Sequence, residues 1–91
     1  MKISYSIISF LLRGERRLKI LRYLYDLEEP KIPKKIADDT KFSLSNVSNS
    51  LSELLNKGLI KCVNPEDKLF RFYVITNKGK NALKELNNNK F

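Results

Sequence analysis

The sequence predicts an α+β fold, mainly α, and three observations predict it. Apolar residues recur at helical spacing in two long stretches, 15–27 and 43–58. Two short runs rich in β-branched and aromatic residues, 59–63 and 69–75, face each other across a turn that contains Pro65. Ninety-one residues with a hydrophobic share of 42% suit one small folded unit. The expectation is a three-helix core with a two-stranded ribbon and extra helical segments at both ends, forming a single domain over 1–91.

Residues 3–12 are apolar on nearly every side, and Gly14 kinks or divides this segment from the next. In 15–27, Leu18, Ile20, Leu21, Leu24, Tyr25 and Leu27 fall on one side at 100° per residue, and Arg16, Lys19, Arg22, Tyr23 and Asp26 on the other. Arg17 lands inside the apolar stripe; a half-buried Arg pairing with a carboxylate or with backbone carbonyls accounts for it. Glu28-Glu29-Pro30 ends that helix, and Lys31-Ile32 reads as a short extended piece. Pro33 suits the first position of another helix, where its missing N–H has no intrahelical partner. Ile36 and Ala37 are that helix's inward residues, and 38–41 form its exit.

Ser43 is a good N-cap for the next helix. Leu44, Val47, Leu51, Leu54 and Leu55 form its core stripe, and Gly58 its stop. The two β-runs follow, joined through 64–68, and Thr76 caps a last helix through Leu86, with 87–89 frayed. A short helix, a turn, a longer helix and at once a two-stranded ribbon make a winged helix-turn-helix. The helix-turn-helix is 32–58 and the wing 59–75. In a small basic protein this order most often sends the second helix into a DNA major groove.

Charge points the same way. Eighteen Lys and Arg against ten Asp and Glu give +8, which suits a polyanionic partner, with an anionic membrane or a merely basic surface as the other readings. Cys62 is the lone cysteine and there is no histidine, so no disulfide and no metal site is expected, and no cofactor. Cys62 reads as a small strand residue, with redox sensing as the alternative. The commonest general base is missing and there is no Gly-rich phosphate loop, so an enzyme is not expected. Residues 3–12 are broken by Ser4, Ser6 and Ser9 and run into Arg13, which argues against a signal peptide. No run reaches the roughly 20 apolar residues of a membrane span. A cytoplasmic, DNA-associated protein without membrane contact is expected.

The chemistry should sit on the helix from Ser43. Eight of the fourteen residues from 43 to 56 are Ser or Asn. These are poor helix formers, because their side chains compete for backbone hydrogen bonds. A solvated face would carry Lys and Glu; short polar side chains suit a face that must approach a partner closely. Asn bonds adenine N6 and N7 together, and Ser contacts base edges or phosphate. Asn49 points away from the core stripe and is the expected base reader, with Ser45 and Asn46 beside it. Ser48 and Ser43 are expected phosphate contacts, the latter aided by the first-turn N–H groups. Ser50 lies on a flank. Glu53 has three readings: acceptor from cytosine N4, partner of Arg17, or solvated, with a structural role preferred. Lys34, Lys35, Lys41, Lys61, Lys68 and Arg71 bracket the face and would hold phosphates without reading sequence. Glu66 and Asp67 at the wing tip would repel phosphate, so a deep minor-groove entry is not expected.

With these residues in hand, the chain resembles the small archaeal winged helix-turn-helix transcriptional regulators, close to the arsenic-repressor-like and multiple-antibiotic-resistance-regulator-like groups. The resemblance rests on 17–21, Ile36-Ala37, 43–48 with Leu51 and Leu54, Gly58-Leu59-Ile60, 64–66, and Arg71-Phe72-Tyr73 leading to Thr76-Asn77-Lys78-Gly79, covering about 13–86. It implies a homodimer on operator DNA. Three departures stand out. Asn49 occupies a place where such proteins often carry Arg, Ile32 stands where Ser or Thr often precedes the helix-starting Pro, and the metal ligands of arsenic repressors are missing.

The N-terminal run gives its own reason to expect a dimer. Ile3, Tyr5, Ile7, Ile8, Phe10, Leu11 and Leu12 are many for one face of a short helix, and burying each large apolar side chain contributes roughly 1.5–3 kcal/mol. Segments 1–14 and 76–91 are therefore the expected twofold interface, with Ile3, Ile7, Ile8, Phe10, Leu11, Leu83 and Leu86 in it, beside Ala82. Two recognition helices would then meet successive major grooves about 34–36 Å apart. The competing functions are a sequence-neutral architectural DNA-binding protein and a winged helix used for protein contacts.

Overall fold

The computed structural model describes residues 4–89, with side chains through 88. Its order is α1 (Tyr5–Leu12), α2 (Glu15–Leu27), α3 (Pro33–Thr40), α4 (Leu44–Asn56), β1 (Ile60–Cys62), β2 (Tyr73–Ile75) and α5 (Asn77–Asn89). This is a mainly helical α+β winged helix-turn-helix, as the patterning indicates. The strands pair antiparallel, with Ile60 opposite Ile75, Lys61 opposite Val74 and Cys62 opposite Tyr73. Lys31 adds a bridge on the far side of β2, exchanging two 2.9 Å backbone hydrogen bonds with Tyr73.

Local chemistry sets the boundaries. Gly14 is the N-cap of α2 and separates it from α1. The α2 helix closes on Glu28 in the left-handed conformation (φ 54°) before Pro30, and α3 begins at Pro33 behind Ile32, which makes no side-chain cap. On α4, Ser43 accepts a 3.1 Å hydrogen bond from the Asn46 amide. At its other end, Gly58 (φ 73°) bonds Leu55 O at 3.0 Å and Leu59 bonds Leu54 O at 3.1 Å. That is a Schellman stop, which needs a left-handed residue there. Thr76 ties this stop to α5: its hydroxyl donates to Gly58 O at 2.7 Å and accepts from the Gly79 amide at 3.1 Å. The α5 helix continues to Asn89, past the expected fraying point at 87.

One apolar core joins α2, α3, α4, the wing base and both terminal helices, with Leu11, Ile20, Leu21, Leu24, Ile36, Leu54 and Leu83 fully enclosed. This bears on the expected interface. Ile7, Ile8, Leu11, Ala82, Leu83 and Leu86 are all buried within the single chain, where α1 and α5 close over the core. Most of their surface is already used inside the single chain. Phe10 is half-buried against Arg17, and Ile3 lies outside the described residues. What α1 leaves exposed is Tyr5 (80%) and Leu12 (48%).

Other differences concern edges. Leu44 (52% exposed) and Leu55 (38%) lie at the border of the α4 stripe, not in the core. Ser50 is buried. So is Thr40, whose hydroxyl donates to Ile36 O at 2.7 Å, so α3 runs on through it. The wing strands are three residues each, and Leu69 and Phe70 belong to the loop and face outward.

Candidate nucleic-acid interface

The outward side of α4 is a ridge. Ser45, Ser48, Asn49, Ser52 and Asn56 are exposed, and among the described residues none of their side chains has a hydrogen-bond partner. The ridge is held from behind by Val47, Leu51 and Leu54.

Each flank of the ridge opens into a depression. On one side Asn46, Ser50 and Glu53 line a cleft of about 690 Å³, whose opposite wall is the α1–α2 junction with Arg13, Arg16 and Arg17. Lys41 and Ser43 border it. On the other side Leu44 and Ser48 line a smaller groove with Pro33, Lys34, Leu69 and Phe70. Asn46 therefore stands half-buried on the cleft flank and not on the ridge beside Asn49. The helix period alone places it opposite the stripe, whereas the structure sets it half-buried in the cleft lining.

Arg17 and Glu53 are joined across the cleft. The guanidinium donates to Glu53 Oε2 at 3.2 Å and to Phe10 O at 2.6 Å and lies 3.9 Å from the Phe10 ring centroid. Its Nε is enclosed without a partner, against Gly14. Both residues thus have the structural role their positions indicate.

The basic residues divide into free and engaged. Lys34, Lys41, Lys61 and Lys68 are exposed and form no ion pair among the described residues. Lys41 is fixed by its backbone, in the left-handed conformation (φ 66°) with its amide on Ala37 O. Lys35 pairs with Asp39 at 3.3 Å, and Asp39 also accepts from Tyr23 at 2.5 Å. The Tyr23 hydrogen bond, with Lys35 assisting, holds the Asp39 carboxyl below its ordinary range, and burial with the Asp39 bond pushes the Tyr23 phenol up. Lys35 is in part neutralised before any ligand arrives.

The wing loop is organised by two side chains. Asp67 accepts from the Leu69 and Phe70 amides at 2.8 Å, and these bonds hold its carboxyl below the ordinary aspartate range. Asn64 donates to Phe70 O at 2.7 Å and accepts from the Phe72 amide at 2.8 Å. Arg71 Nε donates to Asp67 O at 2.9 Å, so Arg71 braces the loop while its side chain stays exposed. Asp67 turns inward onto backbone N–H groups. Cys62 is half-buried, 3.6 Å from Asn64 Oδ1.

Sequence reasoning passed over Arg13 and Arg16. The available signal was three arginines, 13, 16 and 17, around the helix-dividing Gly14; what it lacked was the tertiary packing that brings this junction beside α4. Among the described residues, no three of His, Cys, Asp and Glu gather where a metal ion could be held, and no helix is long and apolar enough to cross a membrane.

Comparison with known proteins agrees with this geometry. No curated protein matches the sequence. Among solved structures, the ST1889 protein of the thermoacidophilic archaeon Sulfolobus tokodaii is similar, at 25% identity and a TM-score of 0.64, over 82% of this chain and 70% of that one. The family model described as bacterial regulatory protein, arsR family, matches residues 14–61, from the α2 N-cap into β1. The chain belongs to the arsR family of regulatory proteins, helix-turn-helix proteins that bind DNA to control transcription.

Proposed function

We propose that the protein is a sequence-specific regulator that binds double-stranded DNA as a homodimer, with α4 as its recognition helix. The observation that carries this reading is the α4 ridge: a row of exposed Ser and Asn side chains, unsatisfied within the chain, on a well-capped helix. Asn49 and Ser45 are the base readers, with Asn46 reaching the groove edge from its flank. Lys34, Lys61, Lys68, Ser43 and Ser48 contact phosphate, Lys41 holds the turn side, and Lys35 and Arg71 contribute the charge their internal partners leave.

The dimer contact is assigned to the outer stripe of α1. Tyr5 and Leu12 are seven residues apart, on one helical face, and both are exposed. Two copies joined there would present two ridges to successive major grooves and favour an imperfect palindrome. No cofactor or metal takes part.

The test compares a base contact with a phosphate contact. Asn49→Ala relaxes preference at one base-pair position and costs about 1–3 kcal/mol of binding, whereas Lys34→Ala weakens all sequences alike and makes the salt dependence shallower. Equal effects of both substitutions on every sequence contradict base readout and favour an architectural, sequence-neutral protein.

A further inference from the structure

We propose that the cleft between the α1–α2 junction and α4 is a phosphate seat for DNA: it receives the sugar–phosphate strand on the side of the recognition helix away from the wing, through Arg13, Arg16 and Lys41. The inference rests on the DNA-binding reading above and adds a second basic wall that the wing and α3 do not supply.

A helix lying in a major groove has a strand on each side, since the groove is about 12 Å wide and the helix with its side chains about 10–12 Å across. Each flank of the α4 ridge must therefore face a backbone, and the two flanks differ in chemistry. The wing-side groove is mostly apolar, with Leu44, Pro33, Leu69 and Phe70 around Lys34. The cleft on the other side is cationic. Arg17 and Glu53 neutralise each other across it at 3.2 Å. That leaves Arg13, Arg16 and Lys41 around it against Glu15, none of them in an ion pair among the described residues.

Three cations that line one cleft without ion pairs of their own attract a polyanion passing over it. Arginine suits a phosphodiester because its planar fork donates to two oxygens at once. The cations sit on firm backbone: Arg13 closes α1 with its amide on Ser9 O at 3.0 Å, Arg16 lies in the first turn of α2, and Lys41 occupies the closed turn before α4. The Arg17–Glu53 pair fixes α2 against α4, so the width of the seat is set before DNA arrives. The free charge is spread over Arg13, Arg16 and Lys41 around the cleft, where an extended strand would run.

The test uses the full chain and measures affinity by fluorescence anisotropy, for a duplex it selects and for a scrambled duplex, across about 50–200 mM salt. Arg13→Gln with Arg16→Gln is expected to lower affinity for both duplexes by the same factor. It should also make the slope of log affinity against log salt shallower by roughly 0.9 for each phosphate that the chain no longer neutralises. Arg13→Lys with Arg16→Lys keeps the charge and is expected to keep most of the slope, and circular dichroism checks that each variant is folded. Lys84→Gln on α5 should leave the slope unchanged. An unchanged slope in the folded Gln variant, or a weakening confined to one sequence, overturns the phosphate seat while leaving DNA binding intact. A rise in thermal midpoint with inorganic phosphate that is absent from the Gln variant, with no change in DNA slope, assigns the cleft to small anions and also overturns it. A wild-type chain that binds neither duplex removes the DNA-binding reading itself, and this proposal with it.

Discussion

Arg17 on α2 and Glu53 on α4 are joined across 3.2 Å, and the same guanidinium grips Phe10 O of α1 and stacks on the Phe10 ring. One side chain thus fastens three helices behind the recognition surface. Arg17→Ala is expected to cost about 2–4 kcal/mol, from the charged hydrogen bond to the carbonyl and the cation–π contact. The Glu53 carboxylate is about half exposed (49%), so Glu53→Gln should cost under about 1 kcal/mol. Urea unfolding of both variants measures the difference; equal costs would show that the ion pair and not the Phe10 contacts carries the stability.

Two glycines carry different constraints. A Cβ at Gly79 would lie 2.3 Å from Leu59 O, a backbone atom that cannot turn aside, so Gly79→Ala forces α5 away from the end of α4 and should cost at least about 2 kcal/mol. A Cβ at Gly58 meets only Lys78 side-chain atoms at 3.8 Å; there the cost is the left-handed conformation, about 1–2 kcal/mol. Thermal unfolding should rank Gly79→Ala below Gly58→Ala, and the reverse order would contradict the packing described.

Lys41 holds a left-handed φ with a side chain, at a cost of about 1 kcal/mol that glycine does not incur. Lys41→Gly should leave stability equal or slightly higher, because the relief is offset by the greater freedom of glycine in the unfolded chain. DNA affinity should fall nonetheless. If stability and affinity fall together, the backbone of Lys41 and not its charge is what matters.

Acid should loosen the wing. Leu69 and Phe70 donate to Asp67 and hold its folded pKa below the unfolded value, so its stabilising effect is present above the ordinary aspartate range (about 3.9) and is lost as pH falls through the lower folded value. Asp39, lowered by Tyr23 and Lys35, acts in the same sense between α2 and α3. Tyr23 acts in the opposite direction: its folded pKa is raised, so its contribution holds below about pH 10 and is lost as pH rises through the folded value. Amide shifts of Leu69 and Phe70 should move on acidification, and Asp67→Asn, which keeps an acceptor oxygen, should flatten that response. A wild-type wing that is insensitive to acid would contradict the Asp67 clasp.

Much of this was legible in the sequence because it was local. Ser43, Pro33, Gly58 and Thr76 each mark a helix end by chemistry confined to a few residues, and all four act in those roles. Arg17 was legible because a charge in an apolar stripe must find partners. The parts that local chemistry does not reveal are tertiary. A short helix that is apolar on nearly every side, like α1, has little periodicity to say what covers it, and the core of its own chain takes Ile7, Ile8 and Leu11. The wing strands end early because the side chains of Asn64 and Asp67 take backbone partners that a longer ladder would have used. Asn46 lies half-buried in the cleft that Arg13 and Arg16 also line, an arrangement set by tertiary packing and not by the helix period.

The proposed dimer contact uses Tyr5 and Leu12, which α1 leaves exposed. Tyr5→Asp with Leu12→Asp should yield a folded monomer by sedimentation at micromolar concentration and weaken binding to a two-half-site duplex far more than to a single half-site. A double variant that still sediments as a dimer would move the interface elsewhere.

Sequence-specific DNA recognition by the α4 ridge is tested most directly by selection from random duplexes near physiological salt, with wild type and Asn49→Ala in parallel. The account predicts an enriched imperfect palindrome, half-sites about one helical turn apart, with preference relaxed at one position of each half-site in the variant. Retention of DNA without enrichment, or an identical motif from both proteins, would contradict it.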